Sequence, residues 1–205
     1  MDLPVLTAKP PSTAPAGPVA AVLAALLAAI LGLLLALSPA WGQEGRITLS
    51  DVQIDRNDEG LWLGFSTRIE LPRSVEEALV KGVPLAFEAE VRTFRSRWYW
   101  RDLNVATATL SWRVTYQPLT RRYRVQSGAF SQQFESLHDA LATMQRTEGW
   151  KVASRSRLAS GERHYAELIF RLDTSQLPRP FQFGIGGQAQ WDLSAQSTLV
   201  IPDHP

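Results

Sequence analysis

The sequence predicts a mainly β protein, an antiparallel β-sandwich or strongly curved sheet of about seven strands, with two short inserted helices and one apolar helix ahead of them. Apolar side chains alternate at period two in one segment after another. Two short stretches carry helix-capping signals, and residues 19–37 consist wholly of Ala, Val, Leu, Ile and Gly.

That apolar run is 19 residues long, and as a helix it extends about 28 Å, close to the roughly 30 Å of bilayer hydrocarbon. It belongs in a membrane. Lys9 is the only basic side chain before it, which keeps the amino terminus cytoplasmic and sends the remainder across. Ser38 and Ala40 in "SPAWG" have the spacing of a signal-peptidase site. Two fates stay open: an uncleaved inner-membrane anchor, or cleavage near Ala40 or Gly42 that releases a periplasmic or secreted protein. Residues 1–42 are therefore the targeting segment and 43–205 a single exported β-rich domain.

Within that domain "ITLSDVQI" and "GLWLGFSTRIEL" are strands, the second placing Leu61, Leu63, Phe65, Ile69 and Leu71 on one face. Between them "DRNDEG" is a turn. It resembles the opening of a calcium loop, but the twelfth position from Asp55 is Ser66 where a bidentate Glu belongs. "PRSVEEALVKG" is a short helix with Ser74 as N-cap, Glu77 completing a capping box and Gly82 as the stop. "VPLAFEAEV" is the next strand, and "LNVATATLSWRVTYQ" with "RRYRVQ" forms a hairpin around Pro118. "FESLHDALATMQRTEGW" is the second helix, with Ser136 and Asp139 as its capping pair and an apolar stripe that runs on to Met144 before Gly149. "HYAELIFRL" and "WDLSAQSTLVI" are the last strands, and the Pro/Gly-rich "QLPRPFQFGIGG" between them is a loop.

Zero cysteines exclude disulfides, thiol nucleophiles and thiolate metal sites. With 21 Lys and Arg against 20 acids, no global field pulls the chain onto nucleic acid, and export excludes that partner as well. There is no G-x-S-x-G elbow and no Ser-x-x-Lys pair. His138, His164 and His204 lack nearby second ligands, and "GIGG" lacks the strand-to-helix setting of a phosphate loop. No cofactor, metal or catalytic residue is expected.

The one conspicuous chemistry is a band of arginines. Arg92, Arg95, Arg97, Arg101, Arg113, Arg121, Arg122 and Arg124 are opposed within their span by Asp102 alone and interleaved with Trp98, Tyr99 and Trp100. Period two puts Arg113, Arg122 and Arg124 on the outer face of the hairpin. On one reading that face is solvated and its arginines pair with Glu88 and Glu90 of the preceding strand. On the other, Arg95, Arg97, Trp98, Trp100 and Arg101 join Arg113, Arg121, Arg122 and Arg124 in a surface for an envelope protein or an anionic envelope ligand. Trp98 and Trp100 have a third option, the bilayer interface.

The pieces "ALVKGVPLAFEAEV", "WRVTYQPLTRRYRV" and "SLHDAL", in this order behind an apolar leader, resemble an uncharacterised proteobacterial family of exported proteins about 200 residues long, a domain of unknown function with no reaction attached. The resemblance implies no catalytic residues, and it implies a membrane sensor kinase as a neighbour. The expected function is a non-enzymatic envelope protein binding another envelope component or a membrane-protein ectodomain. The alternatives are a periplasmic carrier of a small apolar ligand in the sandwich interior, and a hydrolase of unfamiliar type.

Overall fold

The computed structural model describes residues 45–99, 101–177 and 188–202. The apolar run, Trp100, His204 and the "GIGG" stretch lie outside them. Among the described residues no helix is long and apolar enough to cross a membrane.

Among the described residues nine strands form two antiparallel sheets, so the expected fold class holds with two strands more than the alternation shows. β1 (Arg46–Asn57), β2 (Gly60–Glu70) and β7 (Arg146–Ser154) make a three-stranded sheet in the order β1-β2-β7. β3 (Leu85–Arg95), β4 (Leu103–Gln117), β5 (Arg122–Ser127), β6 (Phe130–Phe134), β8 (His164–Leu172) and β9 (Ser194–Ile201) make the larger one, ordered β6-β5-β4-β3-β8-β9. The two sheets share one core. Phe65 of β2 meets Phe170 of β8 edge-on at 6.3 Å, and Phe170 also touches Phe87 and Trp112. Leu61, Leu63 and Phe65 on one sheet and Leu85, Phe87, Ala89 and Val91 on the other are all buried, as alternation requires.

β3 is buried on both faces over most of its length, flanked by β4 and β8. The turn after β1 is organised by Asn57, whose Oδ1 accepts from the backbone of Glu59 and Gly60 and from Trp62 Nε1 at 2.9–3.1 Å.

The two helices differ from expectation in detail. α1 (Arg73–Val80) begins after Pro72, and Ser74 lies inside it. Ser74 Oγ therefore bonds Gln190 at 2.6 Å and Glu77 pairs with Arg73, so no capping box forms. Its C-terminus is as read: Gly82 at φ 95 allows Val83 N–H to reach Ala78 O and Gly82 N–H to reach Leu79 O, a Schellman stop. α2 (Leu137–Ala142) does carry the Ser136 cap, whose Oγ accepts from Asp139 N–H at 3.1 Å. It ends well before Gly149, which instead sits at φ 60 in β7 where the register against β2 shifts. A four-residue α3 (Gln188–Trp191) precedes β9.

Strand direction defines two ends of the domain. One carries the start of β1, the end of β2, both helices and the β4–β5 turn. The other carries the β1–β2 turn, the β3–β4 loop and the β7–β8 connection. Gly45 marks the first end, packed so tightly on Pro72 that a methyl at its Cα would lie 2.2 Å from Pro72 Cδ.

Candidate functional site

At the end away from Gly45, β3 finishes at Arg95 and β4 resumes at Leu103. The loop between them is tied down at several points. Ser96 N–H donates to Arg163 O at 2.9 Å, Arg95 pairs with Glu162 at 2.9 Å, and Asp102 takes two donors at 3.0 Å each, Arg97 N–H and the Tyr165 hydroxyl. Tyr165 is itself held by stacking on Phe94, its register partner, at 5.1 Å and 18°. Burial, and then the hydrogen bond to Asp102, push the Tyr165 phenol up to about 12.

On this fixed base Trp98 is 92% exposed and Tyr99 66%, the two rings meeting edge-on at 5.1 Å. A depression of 370 Å³ opens beside them, walled by Arg95, Arg97, Glu162 and Arg163. Glu162 answers Arg95, whereas the side chains of Arg97, Arg101 and Arg163 have no ion-pair partner among the described residues. The arrangement presents an apolar, aromatic point inside a cationic rim. Beneath it, on the inner face, lie His164, whose Nδ1 meets Glu162 O at 2.8 Å, and Thr93; His164 Nε2 and Thr93 Oγ1 are buried without a hydrogen-bond partner.

The hairpin arginines are elsewhere. β4 is 15 residues long, so at about 3.3 Å per residue its two ends stand some 45 Å apart. The expected single band is therefore two clusters at opposite ends of the domain, and Arg113, Arg121, Arg122 and Arg124 do not join Arg95, Arg97, Trp98 and Arg101 in one surface. Nor do they pair with Glu88 and Glu90. β8 is the other neighbour of β3 and sets Arg171 directly opposite Glu88, so Arg171 bonds both acids and Arg92 bonds Glu90. That contact, with the Coulomb attraction behind it, raises the Arg92 guanidinium further above its usual value. Arg113 reaches Gln176 and Arg122 pairs with Glu135 at 3.0 Å. Arg124 keeps a buried Nε with no partner, and Arg121 stands in the turn at φ 52 beside the fully exposed Leu119.

Over residues 44–200 the sequence matches one family model, described as Domain of unknown function (DUF4390). The chain belongs to that family. No curated protein and no solved structure matches it.

This DUF4390 domain has a further concavity that alternation and motif leave unmarked. A groove of 810 Å³ runs between α1 and α2 at the Gly45 end. Ile69, Leu71, Val80, Tyr123, Leu137 and Leu141 give it an apolar lining, with Glu70, Glu76, Lys81 and His138 at the rim. Burial raises the Tyr123 phenol, with Tyr116 and Glu76 adding to the shift. The one local signal is Val80, apolar yet 46% exposed at the end of α1. Among the described residues no three His, Asp or Glu side chains converge as metal ligands would.

Proposed function

We propose that this chain is a non-enzymatic binding protein of the Gram-negative cell envelope, which uses the β3–β4 loop to dock on another envelope protein. The observation that carries the reading is Trp98: a large ring almost wholly in water on a loop that Asp102, Arg95 and Ser96 hold in place. An aromatic anchor fixed before binding loses little entropy on docking, which is how a few side chains come to dominate an interface. The unpartnered Arg97, Arg101 and Arg163 favour a partner with acidic groups around an apolar pocket. The apolar run at 19–37 and the small residues after it support export. A membrane protein's ectodomain fits an exported partner of this kind, and a sensor kinase is the one to try first.

The test is crosslinking in cells followed by capture. An Arg97→Glu/Trp98→Ala chain loses a partner that the parent chain retains, while Arg121→Glu/Arg124→Glu keeps it. Identical partner lists from parent and loop variant remove the loop from consideration.

The α1–α2 groove favours a second reading, a carrier of one small apolar ligand, with the ligand held between the helices and not inside the aromatic-filled sandwich. Mass spectrometry of organic extracts from purified protein checks it: a lipid at close to one per chain, lost in Leu141→Glu, supports the carrier, and an empty extract sinks it.

A further inference from the structure

Among the described residues the two sheets have four edges: β1 and β7 are guarded, β9 is uncharged but faces β1, and β6 is bare. β1 carries Asp55, Arg56 and a bulge with Asp51 at φ 49, and it lies against β9 so that Arg56 reaches Pro202 O at 3.3 Å. β7 is interrupted by two register shifts and carries Arg146, Glu148 and Lys151. Charges and bulges of this kind stop a free edge from recruiting another strand. β6 has neither. It is the last strand of the larger sheet among the described residues, it reads "FSQQF" without a charge, its pairing to β5 is regular, and Phe130 is 56% exposed.

Its sequence is also self-complementary. Turned about Gln132 and laid antiparallel to itself, the strand sets Phe130 against Phe134 of the second copy, Ser131 against Gln133, and Gln132 against Gln132. Phe130, Gln132 and Phe134 share one face, fixed by their register partners Ser127, Val125 and Tyr123, so the pairing stacks aromatic on aromatic twice around a central amide pair. Cross-strand aromatic pairs are among the favourable ones, and no like charges meet. We infer that β6 is a homodimer edge, through which two copies join their six-stranded sheets about a two-fold axis at Gln132. The short strand makes this a weak association, strongest where copies are concentrated.

The absence of cysteine gives a clean assay. Gln132→Cys in the full chain sets two thiols opposite each other, at a Cα spacing of about 4.5–5.5 Å that a disulfide accepts. Under mild oxidation it is expected to form a covalent dimer about tenfold or more faster than Thr109→Cys, an exposed mid-sheet control. Gln132→Lys, which brings like charges together on the axis while leaving β6 able to pair with β5, is expected to shift the mass of the uncrosslinked chain to monomer. Equal rates for the two cysteine variants, disulfide capture of a different protein by the Gln132→Cys chain, or an unchanged dimer in Gln132→Lys would each overturn the proposal. The outcome is independent of the β3–β4 loop.

Discussion

Asp102 does more for the candidate site than any arginine in it. Its two oxygens close the β3–β4 loop onto β8, and each exposed bond contributes about 0.5–1.5 kcal/mol. Asp102→Ala is expected to lower stability by about 1–2 kcal/mol in denaturant melts. It also frees Tyr165. Because folding raises that phenol from near 10 to about 12, the neutral form contributes stability that is fully present below pH 10 and lost as pH rises through about 12. In Asp102→Ala the phenolate absorbance, taken as the difference from Tyr165→Phe, should appear at lower pH. Residue types in this region were legible, but their partners were not. Glu88 finds Arg171, 83 positions away, because β8 rather than the hairpin presents it, and no local pattern encodes which strand becomes the neighbour.

The two helices make a controlled comparison at the level of elements. Both carry a serine with an acid three residues on, yet only Ser136 caps. The difference is Pro72, which takes the entry position of α1 and moves Ser74 inside. Ser136→Ala is expected to cost about 1 kcal/mol and Ser74→Ala less than about 0.5, read as shifts in denaturation midpoint. The Ser136 hydroxyl, and then His138, hold the Asp139 carboxyl below its usual value, so its contribution is present near neutrality and fades as the solution is acidified past the ordinary carboxylate range. Ser136→Ala should flatten that acid limb. Strands with one dry face were readable from alternation. β7 was hidden because two bulges break its period, and β6 because an edge strand whose residues are nearly all exposed has no apolar face to show.

Among the described residues the two sheets share one apolar core, and Phe170 sits within it, against Phe65 of the facing sheet and Phe87 and Trp112 of its own. Phe170→Ala is expected to cost about 3–5 kcal/mol and to lower the midpoint of both sheets together, seen as coincident loss of tryptophan fluorescence and circular dichroism. A sandwich this rigid also fixes what each end can meet. The exposed Leu119, Arg121 and the α1–α2 groove share the Gly45 end, while Trp98 lies about 45 Å off along β4. The two ends carry different chemistry, an exposed aromatic ring in a cationic rim at one and an apolar turn beside a groove at the other, so the bilayer-interface option for Trp98 is open to a direct test. A photoreactive residue at position 98 of the full chain is expected to yield a protein adduct of defined mass. Lipid at position 98 would mean that the loop lies on the membrane and that its arginines meet headgroups rather than a partner's acids.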